Sequence, residues 1–562
     1  MKGIAKLLKQ AGRTEERAKE QVNLSQEDAI SSEGPHHDIA ITNVSVPPYC
    51  NQGDSVPITI SLANQGSRKE SFRLTLIDQI TGNDITSKEV VLARGWTSDS
   101  DSVADMIFDA EGTGEQDFGA YLLGGDVNSD GYKDLVCTAP GYNKNQGRAY
   151  VYYGGKNFDN QADLTLSGSG TERLGQESCL GDFKADGYLD IALGAMFYKT
   201  DQGRVYVYYG GPNIDETADV IIENPGASGS IFGRVIEAGD INNDGYDDLL
   251  INANIHDNGK GRAYLYYGGN PFDTSPDKIF NGENPGERLG RRTAVGDVDG
   301  DGCDDILFGT RGYPGDGTKR GRAYLHFGPP GTSMDTLCDK VFTGEADGDD
   351  FGRAVQIADI DGDGAGEILI GAMHWNNSQG RIYIWWGGTR IFDKKKADVH
   401  LNGQGRPIWS NLGVYTIFCG DFNHDDYLDI ISGGLHGLAA FIFFGNSKED
   451  MDGHYDVRFH GEDLNGLYGL EVLAIDLNID GYDDAVISDE YYRSKQGRVY
   501  LHWGPFYNTA DITFNWKTTN TSLGEHILKA EIGQVPGEED TADNTMMITV
   551  DVKERPESVS KE

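Results

Sequence analysis

Seven nine-residue segments of the chain place Asp or Asn at alternate positions, and oxygen side chains spaced in this way bind hard metal ions. They read DVNSDGYKD from Asp126, DFKADGYLD from Asp182, DINNDGYDD from Asp240, DVDGDGCDD from Asp297, DIDGDGAGE from Asp359, DFNHDDYLD from Asp421 and DLNIDGYDD from Asp476. Oxygens at positions 1, 3, 5 and 9, with the main-chain carbonyl at position 7, supply the roughly six ligands that Ca2+ takes. Glycine at position 6 allows the positive φ of a sharp turn.

These segments predict about six calcium sites, one in each segment except that from Asp182. Mg2+ demands stricter octahedral geometry, and all-oxygen loops disfavour Zn2+. The predicted ligands share loop positions 1, 3, 5, 7 and 9, and the residue at position 7 contributes its carbonyl. In chain order they are Asp126, Asn128, Asp130, Tyr132, Asp134, Asp240, Asn242, Asp244, Tyr246, Asp248, Asp297, Asp299, Asp301, Cys303, Asp305, Asp359, Asp361, Asp363, Ala365, Glu367, Asp421, Asn423, Asp425, Tyr427, Asp429, Asp476, Asn478, Asp480, Tyr482 and Asp484.

Three segments depart from the pattern. Glu367 replaces Asp at position 9, where its longer side chain still reaches a cation, and Asp426 replaces glycine, so both segments are expected to bind. In the segment from Asp182, Lys184 occupies position 3 and adds a positive charge. We therefore expect Lys184 to bridge the carboxylates of its own loop without metal: Asp182, Asp186 and Asp190. For any single segment the alternative is an Asx-type turn that needs no ion.

The flanks of the acidic segments repeat as well, which shows what must position them. Each is preceded by an aromatic or Leu residue and glycine: Phe118-Gly119, Leu174-Gly175, Phe232-Gly233, Leu289-Gly290, Phe351-Gly352, Leu412-Gly413 and Tyr468-Gly469. An apolar run, an alternating strand such as GRAYVYYGG and a fourth strand such as ADLTLSG follow. Four strands per unit, seven times, predict an all-β seven-bladed β-propeller with each acidic loop between the first two strands. An open solenoid or a sandwich array is the alternative.

The amino-acid composition limits the kinds of molecule that the protein is expected to bind. The 562 residues carry 48 basic and 90 acidic side chains, a formal charge of -42, which disfavours nucleic acid and anionic membranes. The six cysteines form no CxxC pair, and no stretch holds the roughly 18 apolar residues of a membrane span. The first residues lack the apolar region of a secretory signal.

The FG-GAP repeats with DxNxDGxxD loops over about residues 100 to 510 closely resemble the α-subunit propeller of integrins. The resemblance implies that ions stiffen one face of the propeller and that partners bind the opposite face, which carries the loops between the second and third strands. Trp375 in one of those loops is either a contact residue or an ordinary loop-packing side chain. The long leg domains and membrane span of integrin α-chains are not in this sequence.

The flanking strands resemble a CARDB domain, an immunoglobulin-like sandwich, through an NxG turn at Asn64 to Gly66 and ExDxxDN around Glu538 to Asn544. Each flank is too short for its own core, so the propeller would be inserted into one discontinuous sandwich. The predicted domains are a polar segment 1–37, sandwich 38–97, propeller 98–510, sandwich 511–553 and tail 554–562. Either ADMIF from Ala104 or ADITF from Ala510 closes the propeller.

The predicted function is a calcium-binding extracellular module for recognition or adhesion, with a protein or glycan partner. No common catalytic motif occurs, and His326 and His502 stand at packed strand positions, so an enzyme is not expected. The alternatives are a carbohydrate-binding or polysaccharide-degrading surface protein, and a purely structural scaffold. Open loops of this type suit the weak calcium sites of extracellular modules, which favours a cell-surface or secreted location although no signal sequence is visible.

Overall fold

The computed structural model divides the chain into two compact units, Met1–Trp96 with Asn508–Glu562, and Thr97–Tyr507. It describes residues 39–47, 49–51, 54–64, 70–78, 83–92, 104–112, 114–226, 229–313, 319–329, 334–388, 391, 396–403, 411–423, 427–434, 439–445, 451, 455–462, 466–504, 506, 509–518, 521, 523–532 and 545–554. The polar segment 1–37, the motif from Glu538 to Asn544 and most of the predicted tail lie outside these residues. None of the helices described there is long and apolar enough to cross a lipid bilayer.

In the unit formed by the two ends of the chain, the described residues form two sheets. Its strands are β1 (Ile39–Ser45), β2 (Tyr49–Asn51), β3 (Ser55–Asn64), β4 (Glu70–Asp78), β5 (Asn83–Leu92), β34 (Thr509–Lys517), β35 (Gly524–Ile532) and β36 (Thr545–Lys553). The sheet orders are β1-β3-β34 and β2-β36-β35-β4-β5. Alternate residues of β3, Val56, Ile58 and Ile60, are buried, as expected for a strand with one face in the core. Strands from both ends of the chain therefore share one core.

The central unit contains, within the described residues, seven four-stranded antiparallel sheets, which we number by the chain order of their acidic loops. Sheet 1 has β7 (Leu122–Gly125), β8 (Asp134–Ala139), β9 (Arg148–Tyr152) and β10 (Leu164–Ser167); sheet 2 has β11 (Ser178–Gly181), β12 (Asp190–Gly194), β13 (Arg204–Tyr208) and β14 (Val220–Glu223); sheet 3 has β15 (Val235–Gly239), β16 (Asp248–Ala253), β17 (Arg262–Tyr266) and β18 (Lys278–Asn281); sheet 4 has β19 (Arg292–Gly296), β20 (Asp305–Thr310), β21 (Arg322–His326) and β22 (Lys340–Thr343).

The remaining sheets repeat the pattern. Sheet 5 has β23 (Phe351–Ala358), β24 (Glu367–Ala372), β25 (Arg381–Trp385) and β26 (Val399–Asn402); sheet 6 has β27 (Leu412–Gly420), β28 (Asp429–Gly434), β29 (Ala439–Phe443) and β30 (Val457–His460); sheet 7 has β31 (Tyr468–Ile475), β32 (Asp484–Asp489), β33 (Arg498–His502) and β6 (Met106–Asp109). The second strand of each sheet is buried along its whole length, because neighbouring sheets cover both of its faces.

Among the described residues, five four-residue helical turns connect second and third strands: α1 (Tyr142–Asn145), α2 (Tyr198–Asp201), α3 (His256–Gly259), α4 (Trp375–Ser378) and α5 (Tyr492–Lys495). Their inner residues have left-handed dihedral angles, as at Asn143 with φ 45° and ψ 55°. Asn and Asp tolerate this region better than most residues, and α1, α3 and α4 each place Asn there. These turns lie at the opposite ends of the strands from the acidic loops.

Each sheet packs against the next through a shared apolar core. Phe232, which precedes sheet 3, is fully buried among residues of sheets 2 and 3. The glycine after the aromatic residue is required by a close approach: at Gly119, which has φ 80°, a Cβ atom would lie 2.8 Å from Val499 Cγ2. Because Val499 belongs to sheet 7 and Gly119 precedes sheet 1, the last sheet packs against the first.

The strand that completes sheet 7 is β6, from the N-terminal side of the unit, and this resolves the two alternatives for closure. Met106–Asp109 pairs with Arg498–Leu501, whereas Thr509–Lys517 pairs with β3 of the other unit. The Trp503 N–H donates to Asp105 Oδ2 at 2.9 Å, as the Tyr153 N–H donates to Asp163 Oδ2 in sheet 1. Asp105 thus occupies the repeat position that begins a fourth strand.

Candidate metal sites in the acidic loops

The acidic segments connect the first and second strands of the sheets, as the sequence predicts. In sheet 1, β7 ends at Gly125, the loop runs from Asp126, and Asp134 begins β8. The side chain at position 1 organises each loop: Asp126 Oδ2 accepts the Gly131 N–H at 2.9 Å, and Gly131 has φ 89°. Equivalent bonds to the glycine N–H occur in the loops from Asp182, Asp240, Asp297, Asp359 and Asp476. The loops are therefore folded alike by their own carboxylates.

The carboxylate at position 9 is fully buried in every loop. Asp134 Oδ2 accepts the Val127 N–H at 2.9 Å, and its Oδ1 accepts the Gly154 N–H, also at 2.9 Å, from the end of the third strand. Burial raises the pKa of this group above its ordinary value, to about 6 for Asp134, about 7 for Asp190, and about 8 for Asp248, Asp305 and Asp484. Without a counter-charge these buried sites disfavour the ionised carboxylate.

In the loops from Asp240 and Asp297, position 3 supplies an oxygen atom that the protein leaves unpaired. In the part of the chain that the structure describes, Asn242 Oδ1 and Asp299 Oδ1 are buried and accept no hydrogen bond. Such an oxygen costs about 1–3 kcal/mol if nothing binds it. The amide nitrogen of Asn242 donates to Asp244 Oδ2 at 3.0 Å, so its oxygen is free to bind a cation.

Within the part of the chain that the structure describes, two loops bring three carboxylates together. Ligand atoms of Asp297, Asp299 and Asp305 lie within 4.8 Å of one another. Asp359, Asp361 and Glu367 form the same triad in sheet 5, so Glu367 reaches the position of the usual Asp. In both triads the carboxylates come from loop positions 1, 3 and 9. Asp301 and Asp363, at position 5, instead accept the N–H of position 7, at 2.9 and 3.1 Å.

The donor set fits Ca2+. All of the candidate side-chain ligands are oxygens, some unpaired and some buried as carboxylates, and this suits a hard cation that accepts irregular oxygen coordination. The residues that would hold it are positions 1, 3 and 9, with position 5 and the position-7 carbonyl beside them. When bound, Ca2+ would supply the positive charge that the buried position-9 carboxylates lack.

The loop in sheet 2 holds a positive group of its own. Lys184 Nζ lies 2.7 Å from Asp186 Oδ2 and 4.0 Å from Asp190 Oδ1, and it stands 4.4 Å from the centre of the Tyr209 ring. Burial acts to lower the pKa of Lys184, but the two carboxylates outweigh it and raise that pKa. The predicted bridge is therefore present for two of its three carboxylates. The third, Asp182, accepts backbone N–H groups from Asp186 and Gly187 instead.

The loop in sheet 6 is described in part. Asp421, Asn423, Tyr427 and Asp429 lie among the described residues, whereas Asp425 and Asp426 lie outside them. Asp429 Oδ2 accepts the Phe422 N–H at 2.9 Å, which is the position-9 bond of the other loops. The buried end of this loop thus follows the common arrangement.

In four loops a charged side chain at position 8 (Lys133, Asp247, Asp304 or Asp483) links the loop to a neighbouring one, and sequence reasoning missed this link. Asp247 Oδ2 accepts the Asp182 N–H at 2.7 Å, and Asp483 Oδ2 accepts the Asp421 N–H at 2.9 Å. Lys133 Nζ, also at position 8, lies 3.6 Å from Asp483 Oδ1 and joins the loops of sheets 1 and 7. The recurring acid at position 8 was the available signal, but its partner lies one repeat away.

Three aromatic or imidazole side chains considered from the sequence have packing contacts. His326 lies between Phe280 and Phe308, with ring centres 5.1 and 5.5 Å away, and burial lowers its pKa to about 4. His502 Nε2 is 3.2 Å from Tyr468 Oη. The Trp375 ring lies under Arg381, whose Cζ is 3.5 Å from the ring centre, so it helps to hold its own loop.

Two known families of repeats match segments of the central unit. Residues 182–251 and 240–308 match the FG-GAP-like repeat, and residues 118–152 and 351–385 match the FG-GAP repeat. The matched segments contain the acidic loops of five sheets. Both the loops and the sheets that carry them are therefore features shared with a known repeat.

Curated relatives include phosphatidylinositol-glycan-specific phospholipase D of Rattus norvegicus, 24% identical over 441 residues, or 68% of this chain and 52% of that protein. Integrin alpha-5 of Xenopus laevis is 29% identical over 212 residues, covering 35% of this chain and 20% of that protein. Integrin alpha-6 of Gallus gallus is 33% identical over 144 residues, covering 24% of this chain and 13% of that protein. The chain spans about half the length of the phospholipase relative.

Among solved structures, the Dos1 propeller aligns with 82% of this chain and 98% of its own, at 11% identity and a TM-score of 0.37. That score is too low to support an argument about the fold. The sequence matches and the repeated sheets carry the assignment instead. The matched repeats are similar to FG-GAP repeats and to segments of integrin alpha chains, and together with the repeated four-stranded sheets they support an FG-GAP β-propeller.

Proposed function

We propose that the protein is a calcium-binding recognition or adhesion module whose propeller has seven blades. The observation that carries the calcium assignment is the unpaired, buried oxygen at position 3 of two loops, Asn242 Oδ1 and Asp299 Oδ1. Such atoms are satisfied by a hydrogen-bond donor or a cation, and in sheet 2 a lysine at the same loop position places a cation beside two carboxylates. We propose six calcium loops, the sheet 2 loop being satisfied by Lys184.

The seven blades are the seven sheets of the central unit, each sharing a core with the next and the seventh with the first. We further propose that the terminal unit is a CARDB-like, immunoglobulin-like sandwich into which the propeller is inserted. Its Trp516 and His526, from different sheets, have ring centres 5.7 Å apart, consistent with two facing sheets. The NxG turn at Asn64 to Gly66 extends beyond the described residues.

The proposed partner surface is the face opposite the calcium loops. It carries the left-handed turns between second and third strands, whose tips expose polar side chains such as Asn143, Lys199 and Arg493. The rigid stacking of third-strand arginines on turn aromatics, as at Arg204 on Tyr198 with 3.6 Å from Cζ to the ring centre, preorganises these tips. Calcium on the other face would stiffen the same sheets.

A binding role is favoured over an enzymatic one. The phospholipase relative is matched over only half of its length, so its activity is not assigned to this chain. The two histidines of the third strands are buried: His326 packs between Phe280 and Phe308, and His502 contacts the hydroxyl group of Tyr468, which is itself fully buried. The weak, open loops suit an extracellular location, where calcium is abundant.

A binding screen tests this proposal. The full chain would be immobilised and probed with a glycan array and with extracellular-matrix proteins, in calcium and in EDTA. The expected result is saturable binding that is lost in EDTA and weakened by Lys199→Glu or Arg493→Glu. Lys156→Glu, an exposed change at the ends of the strands near the calcium loops, is the matched control. Turnover of a polysaccharide or phospholipid, or no binding to any probe, would contradict the proposal.

A further inference from the structure

Three arginines gather where the first strands of sheets 3, 4 and 5 begin. Arg234, Arg291 and Arg353 each follow the glycine of the repeated aromatic-glycine pair, so the packing of adjacent sheets brings together residues far apart in sequence. Arg291 and Arg353 are only 8% and 5% exposed. The nearness of Arg234 and Arg353 contributes, after burial, to lowering the pKa of Arg291 below its usual range.

These guanidinium groups lack anionic partners. In the described part of the chain, none of the three is in an ion pair, and Arg353 Nε and Nη1 are buried without a hydrogen-bond acceptor. The side-chain contact of Arg234 is a weak one, from Nη1 to Met196 Sδ at 3.8 Å. A buried arginine normally has a carboxylate or carbonyl partner, because an unpaired buried charge is costly.

Each of the two neighbouring acids has one oxygen on another arginine, and its second oxygen, Glu177 Oε2 or Asp350 Oδ2, is buried and accepts no hydrogen bond among the described residues. Glu177 Oε1 lies 2.8 Å from Arg292 Nη1, and Asp350 Oδ1 lies 3.0 Å from Arg311 Nε. The Tyr415 ring centre lies 4.4 Å from Arg353 Cζ and 5.2 Å from Arg292 Cζ, so a further arginine stands beside the same ring. The cluster therefore keeps an excess of positive charge, although the whole chain carries a net charge of -42.

We propose that Arg234, Arg291 and Arg353 form a binding site for a tetrahedral oxyanion, a sulfate or phosphate group. Three planar guanidinium groups offer many donors in fixed geometry, which matches an anion with several oxygens better than a monovalent carboxylate. The arginines stand where the first strands begin and the acidic loops stand where those strands end. The site is thus distinct from the calcium loops and does not depend on them.

Thermal melting with added anions tests the site at constant ionic strength in chloride buffer. Inorganic phosphate, inorganic sulfate and glucose 6-phosphate are the probes, and glucose 6-phosphate distinguishes a free ion from an esterified group. At least one probe should raise the melting temperature saturably, with a dissociation constant of about 1 mM or tighter. The same rise in EDTA separates this site from calcium binding.

Variants assign the effect. Arg291→Gln and Arg353→Gln should abolish the anion-dependent rise, whereas Arg320→Gln, a surface change of the same charge, should retain it. In chloride alone Arg291→Gln should melt at or above the parent, because it removes repulsion among like charges. Arg353→Lys, which keeps the charge but loses the fork, should weaken binding about tenfold or more. No saturable rise with any probe, or an equal rise in Arg291→Gln and Arg353→Lys, would overturn the proposal.

Discussion

Arg498 and Asp109, nearly four hundred positions apart in the chain, form a two-pronged ion pair that joins the two ends of the propeller. Arg498 Nε lies 2.7 Å from Asp109 Oδ1, and Arg498 Nη2 lies 2.8 Å from Asp109 Oδ2. Arg498 is on the third strand of sheet 7 and Asp109 ends the strand contributed from the N-terminal side. The pair therefore fastens the junction at which the propeller closes.

Asp109→Ala should weaken that closure. The bidentate geometry favours a real contribution, but Asp109 is 54% exposed, so the expected loss is about 1 kcal/mol in the free energy of unfolding. Urea denaturation followed by tyrosine and tryptophan fluorescence measures it. Glu111→Ala, which removes a single-pronged pair with Arg148 at 3.1 Å, is the control and should change little. Equal effects in both variants would show that closure does not rely on this pair.

Lys184→Asn should create a further calcium site in sheet 2. The substitution removes the ammonium group from the loop and places there the side-chain oxygen that the other acidic loops have at position 3. We expect about one additional Ca2+ per chain by elemental analysis. Lys156→Asn, exposed and outside the loop, makes the same change of charge and should leave the stoichiometry unaltered. An unchanged count for Lys184→Asn would show that the oxygen at position 3 does not decide occupancy.

Asp299→Ala should remove one ion while sparing the metal-free fold. Asp299 Oδ1 is buried and unpaired, so its loss in EDTA should not lower the melting temperature. In calcium the variant should bind about one ion fewer and melt lower than the parent. Asp347→Ala removes an exposed acid outside the loops and serves as the control. A drop of equal size in EDTA and in calcium would assign Asp299 a purely structural role.

Glu237→Gln should flatten part of the pH dependence of stability. Glu237 lies in the wall of a cavity of about 270 Å3 with Arg292 and Glu471. Burial, then the nearby Glu177, raise its pKa from the ordinary 4.5 to about 8, while Arg292 acts to lower it. The folded state therefore holds a proton that the unfolded chain releases, and this contribution is full below pH 4.5 and lost as the pH rises to about 8.

Urea titrations from acid to mildly alkaline pH measure this contribution. The free energy of unfolding of the parent, minus that of Glu237→Gln, should fall as the pH rises through this window. Tyr121 and Cys179 also face Glu237, but burial holds both of their pKa values well above the ordinary ones, so they stay protonated throughout. Glu216→Gln, at an exposed position, should give a nearly constant difference. A constant difference for Glu237→Gln would contradict the assignment.

The repeated sequence predicted the local parts well, because each local unit is specified within a single repeat. The loop from Asp297, its position before β20 and the glycine at position 6 all follow from nine adjacent residues. The closing strand could not be chosen from sequence, since Ala104 to Phe108 and Ala510 to Phe514 have almost the same side chains. The two segments differ in the strands with which they pair, and Asp105 accepts the Trp503 N–H only when the first segment closes the propeller.

Relationships between repeats were also beyond the sequence. Asp247 contacts the loop of the preceding sheet, and Arg353 acts electrostatically on Arg291 only because their strands lie in adjacent sheets. Such pairs are 60 or so residues apart and carry no periodic signal of their own. The structure adds these relationships, and the proposed oxyanion site depends on the second of them.

The most direct test of the account is the calcium content of the full chain, measured by elemental analysis after dialysis against calcium and paired with melting in calcium and in EDTA. The account predicts about six Ca2+ ions per chain and a markedly higher melting temperature in calcium. Absence of bound calcium, together with identical melting in EDTA, would contradict it and leave the acidic loops as turns closed by their own hydrogen bonds.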